Sequence, residues 1–125
     1  MAGYIGSRSV ALSTTAANVE DITATDTSPE VTLVNTTHED SDGGRESKIT
    51  FKGEQTGGEQ TTLAQIQASH DGASDDEKGD LIFRTNDGSD GASPTEAMRI
   101  TSQQRVGILT NDPSHALVVT QTGAT

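Results

Sequence analysis

The stretch that decides the fold is KITFKGEQTGGEQTTLAQIQAS, residues 48–69. Ile49 and Phe51 alternate with Lys48, Thr50 and Lys52, the period of two that gives a strand one apolar and one polar face. Gly53 and the pair Gly57-Gly58 interrupt the pattern as a turn. Thr62, Ala64, Ile66 and Ala68 then alternate with Leu63, Gln65 and Gln67, which predicts a second strand whose inner face is small. A helix over Glu59–Ser69 is the competing reading, since Leu63, Ile66 and Gln67 share a helical face. The Thr61-Thr62 pair and the flanking glycines favour the strand.

Working outward, PEVTLVNTT at 29–37 alternates Val31, Leu33 and Asn35 against Thr32, Val34 and Thr36, and reads as an earlier strand. HEDSDGGRE, from His38 to Glu46, is a polar loop. HDGASDDEKGD is a long acidic loop, followed by a strand at Leu81-Ile82-Phe83-Arg84 and a turn at Asn86-Asp87-Gly88. Met98 with Ile100, Val106 with Ile108, and Leu117-Val118-Val119 supply three more short strands. Residues 1–30 contain only two weak apolar runs, Val10-Ala11-Leu12 and the surroundings of Val19 and Ile22, and read as an extended segment. The expectation is a mainly β chain: 1–30 extended, and 31–125 a short-stranded meander.

Composition says how such a meander is stabilised. Leu, Ile, Val and Phe together number 22 of 125 residues, below the roughly one-fifth that a highly charged chain needs to fold on its own. Thr, Val and Ile in short separated runs argue against a disordered linker. A thin core completed by other copies reconciles the two. The expected core residues are Ile49, Phe51, Ile66, Ile82, Phe83, Met98, Ile100, Val106 and Ile108.

The net charge of −11 disfavours nucleic acid and anionic membranes as partners. No apolar run approaches ~20 residues, so no membrane span is expected, and the N-terminus shows no apolar signal-peptide core. The chain has no cysteine, which removes thiolate chemistry, disulfides and cysteine-based zinc sites. His38, His70 and His115 lie far apart in expected loops and read as exposed turn residues. Asp40-Ser41-Asp42-Gly43 begins like a calcium loop but lacks the terminal acid at the required position. The Asp71, Asp75, Asp76, Glu77 cluster and the Asp87, Asp90 pair read as solvated turns. No nucleophile elbow is present, and two Phe, one Tyr and no Trp do not line a saccharide cleft. Asn35-Thr36-Thr37 matches a glycosylation sequon without a secretory context. No enzyme, metal or cofactor is expected.

From Ser47 to Ser114 the chain resembles a recurrent module of bacteriophage tail fibres, especially those of marine and cyanobacterial phages. The resemblance is carried by SKITFKGEQTGGEQTTLAQIQASHDG, KGDLIFRTNDGSDGASPTEAMRI and RVGI. In that family a strand like GDLIFKTN precedes one like ERMRIDSSGNVGIGTTSP. The counterparts are Glu96–Ile100 and Arg105–Ile108. Met1–Gly6 is similar to the start of such virion proteins. Two departures stand out: Gln103-Gln104-Arg105 replaces Ser-Gly-Asn, and Leu109–Pro113 replaces Gly-Thr-Thr-Ser-Pro. The resemblance implies an intertwined homotrimeric fibre or β-prism-like shaft in the virion tail, the virion-proximal part of a longer protein. It implies attachment of residues 1–30 to other tail proteins and support of host adsorption. The alternatives are a stand-alone virion adaptor or decoration protein, and a receptor-binding module.

Overall fold

The computed structural model describes residues 23–121. The chain divides into two units, Met1–Val31 and Thr32–Thr125. Of the first, residues 23–31 are exposed and strandless, with one bend where the Asp26 carboxylate accepts from the Thr27 amide at 2.6 Å. The apolar runs expected at Val10–Leu12 and around Val19 and Ile22, and most of the expected attachment segment, lie outside the described residues.

The second unit is one six-stranded sheet without helices among the described residues. Its strands are β1 (Ser47–Glu54), β2 (Gln60–His70), β3 (Gly79–Thr85), β4 (Thr95–Ile100), β5 (Val106–Ile108) and β6 (Leu117–Val119), in sequence order across the sheet. β1 to β5 form an antiparallel meander, as the glycine-punctuated alternation requires. Residues 60–69 are strand, and the competing helix is absent.

Two features depart from the expected meander. β6 runs parallel to β5, because residues 109–116 carry the chain back across the sheet before it pairs. The return depends on Gly107, whose missing side chain leaves room for the Thr110 carbonyl. Buried Pro113 fixes the middle of the return, its carbonyl accepting from Arg105 Nη1 at 3.2 Å. The second departure is a correction: the strand expected over 29–37 does not form. A strand needs a ladder partner, and this segment uses a side chain instead. Asn35 donates from Nδ2 to the Glu46 carbonyl at 2.8 Å and accepts from the Thr37 amide at 2.9 Å.

Bulges adjust two ladders. Leu63 has no partner between the pairs Phe51–Ala64 and Lys52–Thr62, and Ala97 none between Phe83–Met98 and Arg84–Glu96. Each extra residue is put to use: the Asn86 amide donates to the Leu63 carbonyl and the Leu109 amide to that of Ala97, both at 3.0 Å.

Candidate assembly face

Register determines which side chains share a face, because directly paired residues point the same way. The central row on one face reads Ile49, Ile66, Phe83, Met98, Ile108, Val119 from β1 to β6. Beside it runs Ser47, Ala68, Leu81, Ile100, Val106, Leu117. A shorter row, Phe51, Ala64, Thr85 and Thr95, completes it on the other side. Leu63 adds to this surface, its Cδ1 lying 2.9 Å from where a Cβ on Gly53 would stand. No ionisable residue interrupts these three rows. Six strands at about 4.8 Å spacing make a patch about 24 Å wide.

This face is open. Phe51 is 50% exposed, Leu117 61% and Val119 63%, and no side chain in the three rows is fully buried. An uninterrupted apolar patch of this kind marks an interaction surface.

The opposite face is polar and covered. Its central row is Lys48, Gln67, Ile82, Arg99, Gly107, Val118. Ile82, at 2% exposure, is the single buried large hydrophobic side chain among the described residues. Beside it Asp80, also buried, ion-pairs with Arg99, whose guanidinium reaches Glu96 at 2.8 Å as well. The Ser102 amide donates to the remaining Asp80 oxygen at 3.1 Å. Desolvation raises the Asp80 pKa against the pull of Arg99. Hydrogen bonding to Glu96 raises that of Arg99. Such a network is costly to bury and more costly to leave half-made.

The loops beside β2 are fastened by His70, which corrects the expectation of an exposed turn histidine. His70 ends β2, and its side chain is only 1% exposed. Nδ1 lies 3.2 Å from the Ser41 carbonyl and Nε2 3.0 Å from Asp76 Oδ1. Both partners are acceptors, so the ring satisfies both at once only when both nitrogens carry a proton. The hydrogen bond to Asp76 raises the His70 pKa. Lys78, at 2.8 Å, and then His70 hold the Asp76 carboxyl well below the usual carboxylate range. Arg45 ties the same loops, pairing with Asp40 and donating to the Asp76 carbonyl at 2.8 Å. His38 and His115 are exposed.

Several of the other acidic residues singled out by sequence also have structural partners. Asp42 accepts from the Gly72 amide at 3.2 Å, and Asp71 from the Ser102 hydroxyl. Asp90 caps the 86–94 loop through Thr95 and the Asp87 amide, which keeps its pKa low. Among the described residues no group of three or more His, Asp or Glu is arranged to hold a metal ion.

Of the nine expected core residues, the sheet brings eight onto the open face: Ile49, Phe51, Ile66, Phe83, Met98, Ile100, Val106 and Ile108. Ile82 stands apart on the covered face. Consecutive strand residues point to opposite sides, so Ile82 and Phe83 could not have shared a face, and the alternation already contained that signal. Leu63, Leu81, Leu117 and Val119 also join the open face. Leu81 lies two residues before Phe83, and Leu117 and Val119 are two apart, so the same period marks them. Leu63 follows only from the bulge.

No protein-family model matches this chain, and no curated protein is found that it resembles closely enough to count as a relative.

Proposed function

We propose that this chain is a structural segment of a trimeric phage tail fibre, in which three copies bury their open sheet faces against one another. The observation that carries this reading is the uncharged apolar face spanning all six strands, on a sheet with one buried large hydrophobic residue. Covering about ten half-open apolar side chains would contribute on the order of 10 kcal/mol per copy, which a thin sheet of this kind needs. The occupant is a further copy because charge leaves little choice. Each chain carries −11, and the three rows are where identical acidic chains meet without placing like charges in contact.

The fibre class rests on the resemblance of residues 47–114, and the backbone adds to it. Gln104 and Leu109 stand where the resembled pattern has glycine, and both adopt positive φ, +62° and +56°. These are conformations in which glycine is the natural residue. Residues 1–30 would dock on the tail, and the assembled segment would hold distal receptor-binding parts at a fixed reach. Several fibres on one particle raise avidity. The role is mechanical, without catalysis.

Sedimentation equilibrium of the purified chain tests the proposal. Three times the 13.0 kDa chain mass is expected, with a melting temperature that rises with concentration. A solitary chain that melts cooperatively at a concentration-independent temperature would overturn it.

A further inference from the structure

The segment Val31-Thr32-Leu33-Val34-Asn35-Thr36 is uncharged, free of proline and, Asn35 apart, open to strand pairing by composition, with Val and Thr at four of its six positions. It nevertheless belongs to no strand, and Leu33 and Val34 are 51% and 75% exposed. Six-residue windows of this composition are aggregation hazards when left open. A soluble acidic protein that keeps one is expected to cover it in its working state.

The sheet has two edges on which such a segment could pair, and they differ. β1 carries Lys48 and Lys52, charges of the type that discourage strand addition. β6 is Leu117-Val118-Val119, with no charge, and the apolar rows run off it uncapped at Leu117 and Val119. A seventh strand at that edge would carry either Leu33 or Val34 onto the apolar face and so extend one of these rows, since consecutive strand residues point to opposite sides.

We infer that residues 32–36 form this seventh strand, added to the β6 edge of a neighbouring copy. The inference rests on the assembly reading above and names the contact that makes it directional. Strand donation from one copy to the next is a heterologous contact, which closes when the rotation between copies completes a ring. Main-chain hydrogen bonds supply affinity, and whichever of Leu33 and Val34 faces the apolar rows sets the register. On the donor, Asn35 remains bonded to Glu46 at the start of β1, so the donated segment stays anchored to its own sheet.

The natural chain has no cysteine, which makes introduced thiols unique reporters. Copies carrying Val34→Cys and an affinity tag are co-expressed with untagged copies carrying Val119→Cys, and the assembly is treated with a short bis-maleimide. A covalent pair of one tagged and one untagged chain is expected. Amide hydrogen exchange at alternate residues of 32–36, those whose N–H faces the β6 edge, should be at least a hundredfold slower in the unmodified assembly than in unstructured peptide. An assembly of three-chain mass with no mixed cross-link and unprotected amides would overturn the strand donation and leave the assembly reading standing. A monomeric chain would overturn both.

Discussion

The two faces of this sheet reverse the usual arrangement. In most antiparallel sheets the apolar face is covered by the chain's own elements and the polar face meets water. Here polar interactions and buried side chains gather on the charged face: the Asp80–Arg99–Glu96 network and Ile82. Among the described residues, nothing covers the other face from Ile49 to Val119. The difference teaches that the two faces serve different stages. The polar face holds one chain's own network, and on the proposed assembly the apolar face joins chains.

The most severe way to break the comparison is to place one carboxylate on each face in turn. Ile100→Asp puts a charge in the middle of the open rows and should reduce the sedimentation mass from three chains to one. Thr50→Asp, at an exposed position on the polar face, should leave the mass unchanged. Equal behaviour of the two variants would mean that the open face does not join copies.

The next effect falls on the covered face. Arg99→Met leaves Asp80 buried without its cation and should cost about 3–5 kcal/mol of stability, read by denaturant unfolding at fixed protein concentration. Gly107→Ala should cost about 1–3 kcal/mol, because the added methyl meets the Thr110 carbonyl backbone of the return to β6.

A pH titration sharpens the comparison further, because the open rows do not titrate and the loops fastened by His70 do. The folded His70 pKa lies above its unfolded value of 6.5. Its stabilisation is therefore complete below pH 6.5 and is lost as pH rises through the raised folded value. Asp76 has the opposite sign: its folded pKa lies below 3.8, and its contribution is lost as pH falls below that value. The melting temperature should decline on the alkaline side, and His70→Gln should abolish that decline. The smallest effect is Gln104→Gly, which relieves a left-handed conformation at an exposed turn. It should raise stability by up to about 1 kcal/mol.

Much of the fold was legible in the sequence, for reasons that can be named. Alternation is a local property, so Ile49/Phe51, Ala64/Ile66 and Met98/Ile100 announced their strands without reference to partners. The shortage of large apolar residues was legible too, since composition does not depend on folding. The segment 29–37 misled because strand propensity and strand formation are different things: Val31, Leu33 and Val34 supply the first, and only a partner edge supplies the second. His70 misled because its loop-like neighbours, Asp71 and Gly72, hid that β2 extends to it and that Ser41 and Asp76 close over the ring.

The amino-acid sequence by itself determined that this chain is β-structured, acidic and poor in large apolar side chains. Those conclusions follow from the period of two and from counting. Tertiary structure alone decided that β6 turns parallel and that eight of the expected core residues, from five strands, align into an open, uncharged face. The reason is that facing and register are relations between strands distant in sequence. They are set by bulges at Leu63 and Ala97 and by the room that Gly107 leaves for Thr110.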